Sequence, residues 1–172
     1  MNKMAEFIRD LPYMKGQGYD TWAIYTQCRL ETGNFEHVPA YNFAGMMNGG
    51  RGPDGKWYPD KTWKGKSQIL SSGEYREVNG VDVLRPEESL FKMYDSPLDY
   101  FKDYDAMVKV KFPIAYPKRG DGKFYLGYLM TYDINGKIIW PSFCTAKGYE
   151  KHLVELYDVY NADTHYELKP TI

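Results

Sequence analysis

Glu31 is the residue whose sequence neighbours best suit it for acid–base chemistry. Asp20 can cap a helix over Thr21–Glu31, and the glycine two positions beyond the helix can end it. Ile24 and Cys28 share a helix face with Glu31, so the carboxyl ends an apolar stripe. Burial and the negative end of the helix dipole both raise a carboxyl pKa, so Glu31 could deliver a proton to a leaving oxygen near neutral pH. On these residues alone, a solvent-facing Glu31 at a frayed helix end is the simpler interpretation.

Other reaction classes lack the residues that they need. His37, His152 and His165 are scattered, with no second His or Cys at metal-ligand spacing, so neither a metal nor a cofactor is expected. No serine lies in a G-x-S-x-G elbow, and the glycine-rich stretches lack the context of a phosphate loop. Cys28 and Cys144 are far apart and predict free thiols. Carboxylate chemistry is what remains.

Composition predicts one globular domain over residues 1–172 and excludes several partners. With 22 Lys+Arg against 23 Asp+Glu, nucleic-acid binding through bulk charge is excluded. No stretch approaches the ~20 apolar residues of a membrane span, so membrane insertion is not expected. The first ten residues lack the apolar core of a signal peptide, which predicts synthesis in the cytoplasm without a leader. The 17 Tyr suit either a sugar-stacking groove or a wet core.

The elements that must position Glu31 predict an α+β domain. A turn-rich loop is expected over 48–65, followed by a hairpin over 68–83 with a type I′ turn at Asn79-Gly80 and a strand over 90–94. A second helix should begin after Ser96 and stop before Pro113, and a last helix should run from Tyr149 to about residue 160. The short apolar run within 112–141 fits either helix or strand.

Five short motifs, in order and spacing, resemble the bacterial and phage glucosaminidase family, glycoside hydrolase family 73. Residues 27–35 resemble the A-x-x-E-[ST]-G helix end that bears the family's catalytic acid. The other four resemble its asparagine-aromatic-glycine segment, its T-x-E-Y hairpin start, its F-R-x-Y-x-S strand and cap, and its Y-A-T-D-P-x-Y-x-x-x-L helix start. They occupy 41–46, 72–75, 91–96 and 143–153.

The resemblance implies a lysozyme-like fold, in which a mainly helical lobe and a small β-hairpin lobe, about 66–94, flank a cleft. It implies hydrolysis of the β-1,4 bond between N-acetylglucosamine and N-acetylmuramic acid of peptidoglycan, with Glu31 as general acid and Glu74 as second carboxylate. Within the matched motifs, the candidate substrate-binding residues are Tyr41, Asn42, Phe43, Tyr75 and Tyr149. Core packing is the alternative for each ring, and satisfaction of a turn is the equally weighted alternative for Asn42.

The sequence departs from the family pattern at three positions and leaves the mechanism open. Ala44 stands where an aromatic is usual, Met47 where a lysine is common and Phe143 where a tyrosine is expected. Carboxyl groups about 5–5.5 Å apart support a retaining route, and groups about 6.5–9.5 Å apart an inverting one, with substrate assistance as an exception. A muramidase or lytic transglycosylase on the same fold, and a non-catalytic glycan-binding or virion structural module, are the alternatives. The expected setting is a phage endolysin or virion-associated lysin, in an oligomeric state that the sequence does not indicate.

Overall fold

The computed structural model describes residues 2–51, 56–78, 81–136, 139, 142–144 and 147–162. At 51, 57, 72–77, 82 and 85 only the backbone is described. Helices are the commonest elements in this part of the chain, and a long two-stranded hairpin extends from them. The predicted α+β class, with a helical lobe and a hairpin lobe, is confirmed.

The helical lobe contains six α-helices in the described residues. They are α1 (Lys3–Asp10), α2 (Pro12–Gly16), α3 (Thr21–Glu31), α4 (Pro97–Lys111), α5 (Gly122–Gly127) and α6 (Tyr149–Ala162). Short 3₁₀ turns lie at Pro39–Tyr41 and Tyr116–Lys118. The sequence predicted α3, α4 and α6, whereas α1, α2 and α5 were not assigned. Helix α6 continues to Ala162, two residues beyond its predicted end at about 160.

Helix α3 lies at the centre of this lobe, and its ends are those that the sequence predicts. The Asp20 side chain accepts hydrogen bonds from the backbone N–H groups of Trp22 and Ala23. Gly33 adopts the left-handed conformation just beyond the helix, at φ +56°. Six consecutive residues, 23–28, are buried, which is more than one full turn. Helix α3 is therefore surrounded by protein over its middle, rather than buried along one stripe.

Aromatic rings fill the core around α3. Tyr100, Tyr104 and Tyr125 are fully buried, as are Phe7 and Phe101. Phe7 packs edge-on against Phe101 with ring centroids 5.1 Å apart, a favourable geometry for aromatic pairs. Much of the tyrosine content therefore belongs to the core, which is the second of the two interpretations that composition allowed.

The hairpin consists of β3 (Lys66–Val78) and β4 (Val81–Met93), which pair antiparallel along their whole length. Val78 pairs with Val81, so two residues connect the strands, as predicted; the type of the Asn79-Gly80 turn lies outside the described residues. The strand predicted at 90–94 is the end of β4, because Leu90 pairs with Ile69. The hairpin is thus longer than the 68–83 that local turn signals indicated.

The predicted loop over 48–65 contains a small hairpin, so its description as a loop alone was wrong. Strands β1 (Gly50–Arg51) and β2 (Trp57–Tyr58) pair antiparallel, although each is only two residues long. A Cβ at Gly49 would lie 2.0 Å from the Tyr58 carbonyl oxygen, and Gly49 has φ +83°. Close backbone approach therefore requires glycine at a position that the sequence signalled only as a turn former.

The base of the long hairpin is tied to the helical lobe. Asn48 N–H donates to the Leu90 carbonyl, and Lys92 N–H donates to the Met46 carbonyl. The buried Lys92 ammonium lies 2.9 Å from an Asp103 carboxylate oxygen on α4. These contacts fix the end of the hairpin nearest the helices. None of the helices in the described part of the chain combines the length and apolar character that a membrane crossing requires.

Candidate active site

Glu31 is the last residue of α3 and is partly buried. The Tyr149 hydroxyl, at the start of α6, donates a hydrogen bond to Glu31 Oε1. Desolvation raises the pKa of the Glu31 carboxyl above its usual value, and the Tyr149 hydrogen bond opposes part of that rise because it stabilises the carboxylate. The direction agrees with the sequence-based expectation, and the main cause is burial.

The chain turns sharply after Glu31. Gly33, Asn34 and Phe35 all have positive φ, at +56°, +60° and +66°. Thr32 Oγ1 donates to the Cys28 carbonyl at 2.6 Å and accepts from the Phe35 N–H at 3.0 Å, which holds the turn. Two successive non-glycine residues in the left-handed region are strained, and such strain concentrates at functional sites. The turn ends the helix abruptly, with the Glu31 carboxyl at its margin.

Tyr149 is brought to Glu31 by the packing of α6 against α3. Its ring stacks on Phe143, with centroids 6.2 Å apart and planes 2° from parallel. Burial and the neighbouring Glu31 raise the pKa of the Tyr149 phenol well above its usual value, so it stays a hydrogen-bond donor. The sequence placed Tyr149 among substrate-binding residues; in the structure its hydroxyl binds the candidate acid.

Asn42 and Phe43 have structural positions. Asn42 is buried; its Nδ2 donates to the Met46 and Lys92 carbonyls, and its Oδ1 accepts from the Met46 N–H at 2.7 Å. Phe43 is fully buried and packs edge-on against Phe7. For both residues the structure supports the alternative to substrate contact, since a satisfied amide and an enclosed ring have no surface for a sugar.

Tyr41 lies against α1, away from the residues that contact Glu31. The Lys3 ammonium is 5.3 Å from its ring centroid, and the neighbouring Glu6 carboxylate raises the pKa of its phenol. The residue has φ +57°, in the left-handed region. The described contacts therefore do not bring Tyr41 together with Glu31 and Tyr149.

Glu74 and Tyr75 lie on β3, where Glu74 pairs with Arg85 and Tyr75 with Leu84. Their side chains lie outside the described residues. The proximity of Glu74 to Glu31, and the contacts of Tyr75, therefore stay predictions. Among the residues that the structure describes, no cluster of three or more His, Cys, Asp or Glu could hold a metal ion.

Sequence reasoning missed a buried polar group beneath the Glu31–Tyr149 pair. Gln27, Tyr104 and Tyr125 are each fully buried; the Tyr104 hydroxyl donates to Gln27 Oε1 and shares a hydrogen bond with the Tyr125 hydroxyl. Gln27 precedes Glu31 by four positions, so the two share a helix face. The four-residue spacing could have indicated that Gln27 lies near the candidate acid, but the helix face of Glu31 was interpreted as an apolar stripe.

No protein-family model matches the chain, and no curated protein does. Solved structures do. A peptidoglycan hydrolase mutant from Sphingomonas sp. A1 has 22% identity and a TM-score of 0.60, covering 91% of this chain and 89% of its own. The truncated glycoside hydrolase domain of Salmonella typhimurium FlgJ has 19% identity and a TM-score of 0.61, covering 95% and 100%.

The catalytic domain of the autolysin Auto from Listeria monocytogenes is also similar, with 17% identity and a TM-score of 0.58 over 90% of this chain and 82% of its own. The chain has the fold of these hydrolase domains. The lysozyme-like fold class that the motif resemblance implied is thereby confirmed, and the similarity extends over nearly the whole chain rather than over the motifs alone.

Proposed function

We propose that the protein is a peptidoglycan hydrolase of the glucosaminidase family, cleaving the β-1,4 bond between N-acetylglucosamine and N-acetylmuramic acid. The observation that carries the proposal is the Glu31 carboxyl, partly buried at the end of α3, with a raised pKa and one oxygen held by Tyr149. It occurs in a fold shared with domains described as peptidoglycan hydrolase, glycoside hydrolase and autolysin.

Glu31 acts as general acid in this proposal. Because Oε1 accepts from Tyr149, the acid proton belongs on Oε2, which then faces the glycosidic oxygen. Protonating that oxygen makes the departing sugar a neutral alcohol as the C–O bond breaks. The raised pKa keeps Glu31 protonated at a pH where an ordinary carboxyl is ionised, as general acids of glycosidases require.

Glu74 is the second carboxylate that we propose, acting as base, nucleophile or stabiliser of the acetamido group. Its backbone lies on β3, a separate element from α3, which suits two carboxylates on opposite sides of a substrate. The route taken depends on the distance between the two carboxyl groups in the glycan complex.

The test is to incubate the purified protein and its Glu31→Gln variant with peptidoglycan, then identify the new chain ends by mass spectrometry. Reducing-end N-acetylglucosamine, formed by wild type and not by Glu31→Gln, supports the proposal. Reducing-end N-acetylmuramic acid indicates a muramidase, and 1,6-anhydro ends indicate a lytic transglycosylase. Glycan binding without new ends indicates a non-catalytic module.

We further propose that the protein works as a phage endolysin or virion-associated lysin. The support is the resemblance to a family with phage members, together with a substrate that lies in the cell wall. Cells that express the protein should lyse when chloroform permeabilises their membrane and should stay intact before it. Lysis without permeabilisation contradicts an endolysin that awaits release.

A further inference from the structure

A chain of buried hydrogen-bonding groups runs from the core to the candidate acid. Hydrogen bonds join Tyr125 on α5, Tyr104 on α4 and Gln27 on α3, and a further hydrogen bond joins Tyr149 on α6 to Glu31. Gln27 and Glu31 share a face of α3, which brings the two groups together. The members of this chain of groups come from four helices, so the packing of the whole helical lobe sets its geometry. A polar chain inside an aromatic core is costly unless its members satisfy one another.

The direction of each hydrogen bond follows from its neighbours. The Tyr149 hydroxyl donates its single proton to Glu31 Oε1, and the Tyr104 hydroxyl donates its proton to Gln27 Oε1. Tyr104 must therefore accept from Tyr125. With Gln27 Oε1 occupied, the amide presents Nε2, a donor, to the Tyr149 oxygen.

The Gln27 amide nitrogen fits this arrangement. Nε2 is buried and has no hydrogen-bond partner within the described residues. Gln27 lies four residues before Glu31 on the same helix face, and Glu31 holds the Tyr149 hydroxyl, so the open donor lies on the side of α3 that Tyr149 contacts. The amide also lowers the pKa of the Tyr149 phenol, against the larger effect of burial, which is the effect of a donor.

We propose that Gln27 is a positioning residue of the acid, which acts through Tyr149 to keep the Tyr149 proton on Glu31 Oε1 and the acid proton on Oε2. The catalytic consequence of this role rests on the proposed function. Gln27 does not touch substrate in this proposal. The Gln27 amide donates to the Tyr149 oxygen, and a hydroxyl that already accepts a hydrogen bond donates its own proton more strongly, here to Glu31.

Few titratable groups face this site in the described part of the chain. They are Tyr149 on α6, Cys28 on α3 and, acting on Tyr149, Cys144 from the segment before α6. Burial raises the pKa of the Cys28 thiol, so it stays neutral. A change in the Glu31 pKa on altering Gln27 can therefore be attributed to the hydrogen-bond chain.

The test is to titrate the Glu31 side-chain carboxyl by ¹³C NMR, assigned by its absence in Glu31→Gln, in a double-mutant cycle of Gln27→Leu and Tyr149→Phe. Gln27→Leu should raise the Glu31 pKa, by less than Tyr149→Phe does, and should have no further effect in the Tyr149→Phe background. Thr26→Val is the matched control: Thr26 is equally buried on α3, and its hydroxyl has no partner in the described part of the chain, so its loss should leave the Glu31 pKa unchanged.

An unchanged Glu31 pKa in Gln27→Leu, or an equal shift with and without the Tyr149 hydroxyl, overturns the proposal. If Gln27→Leu does not fold, Tyr104→Phe replaces it. Loss of the Tyr104 hydroxyl leaves the Gln27 amide free to turn away from Tyr149, so the Glu31 pKa should rise as in Gln27→Leu. An unchanged Glu31 pKa in Tyr104→Phe contradicts the proposal. The titration needs no substrate. A wild-type protein that cleaves no glycan refutes the proposed function while the NMR result still decides the role of Gln27.

Discussion

The two proposed carboxylates belong to regions built in opposite ways. Glu31 ends a helix whose middle is enclosed on all sides by the aromatic core, and Tyr149 holds one of its oxygens. Glu74 lies on a hairpin of two strands, on which several of the described apolar side chains are exposed: Val81 by 62%, Leu84 by 56% and Ile69 by 48%. The described ties between this hairpin and the helices lie at its base.

The difference matches what each proposed role requires. A general acid needs a fixed, partly dry environment, because burial is what keeps its pKa high. A second carboxylate on a two-stranded ribbon has no enclosing core to hold it, and such ribbons are marginally stable alone. We therefore expect the position of Glu74 to depend on glycan binding more than that of Glu31 does.

The largest expected effect is on the enclosed side. Glu31→Gln removes the transferable proton and keeps the shape, so cleavage should fall by about 10²-fold or more, measured as release of soluble fragments from peptidoglycan. Glu36→Gln, an exposed carboxylate just beyond the turn, is the matched control and should retain activity. A Glu31→Gln protein with more than about a tenth of the wild-type rate contradicts a general acid.

The Glu31→Gln variant should lose activity without losing thermal stability. The Glu31 pKa is raised in the folded state, so the carboxyl favours folding below its unfolded pKa and loses that advantage as pH rises through the folded pKa. Glu31→Gln has no carboxyl to ionise at this position, so it does not lose stability in this way as the pH rises. Its melting temperature at neutral pH should equal or exceed that of wild type, and a clear decrease there would show that the charged form stabilises the fold.

On the hairpin side, Glu74→Gln should lower turnover strongly and leave glycan binding measurable, because a base or cation stabiliser acts mainly in the transition state. Pull-down with insoluble peptidoglycan, beside the rate, separates the two quantities. The acidic limb of the pH–rate profile should move or vanish in this variant. Equal weakening of binding and turnover would instead make Glu74 a residue that positions the substrate.

Packing of the two regions can be compared with one substitution made twice. Leu126→Ala on α5 removes a fully buried side chain and should lower the free energy of unfolding by about 2–5 kcal/mol. Leu84→Ala on β4 removes an exposed one and should change it by less than about 0.5 kcal/mol. Urea denaturation measures both, and a large loss at Leu84 would mean that the hairpin is covered in solution.

Tyr149→Phe should have a smaller effect than loss of the acid itself. Loss of a hydrogen bond to a carboxylate, about 1.5–3 kcal/mol, should raise the Glu31 pKa by about one to two units and extend activity to higher pH. The alkaline limb of the profile measures this. Tyr160→Phe, on the same helix with its ring 4.5 Å from the Arg29 guanidinium, should leave the limb in place. A downward shift in Tyr149→Phe would show that the hydroxyl favours the neutral acid.

The sequence predicted what local signals specify. Asp20 and Gly33 bounded α3, and the turn pair at 79–80 located the hairpin, because capping and turn preferences act over a few residues. Helices α1 and α2 were not assigned, although Asn2 caps α1 and Pro12 is at the first position of α2, which are signals of the same local kind. Local signals also ended the predicted hairpin too early, at residue 83, and made 90–94 a separate strand. The pairing from Lys66 to Met93 depends on strand register rather than on turns.

The site was predicted less completely, because its contacts join distant parts of the chain. Nothing in the sequence measures the separation of Tyr149 from Glu31, 118 positions away, so Tyr149 was assigned to the substrate and not to the acid. Phe43 and Asn42 sit in matched motifs for structural reasons, as an enclosed ring and a satisfied amide. Gln27 was given no role, because only tertiary packing buries all sides of α3.

The central claim is that Glu31 is the proton donor and that burial sets its pKa. The most direct test compares the Glu31 pKa from NMR titration of the free protein with the alkaline limb of kcat/KM for glycan cleavage, which reports the acid of the free enzyme. The account predicts that the two values coincide and lie above the ordinary range for a glutamate. A Glu31 that titrates in that ordinary range while the limb lies higher would contradict it, since another group would then supply the proton.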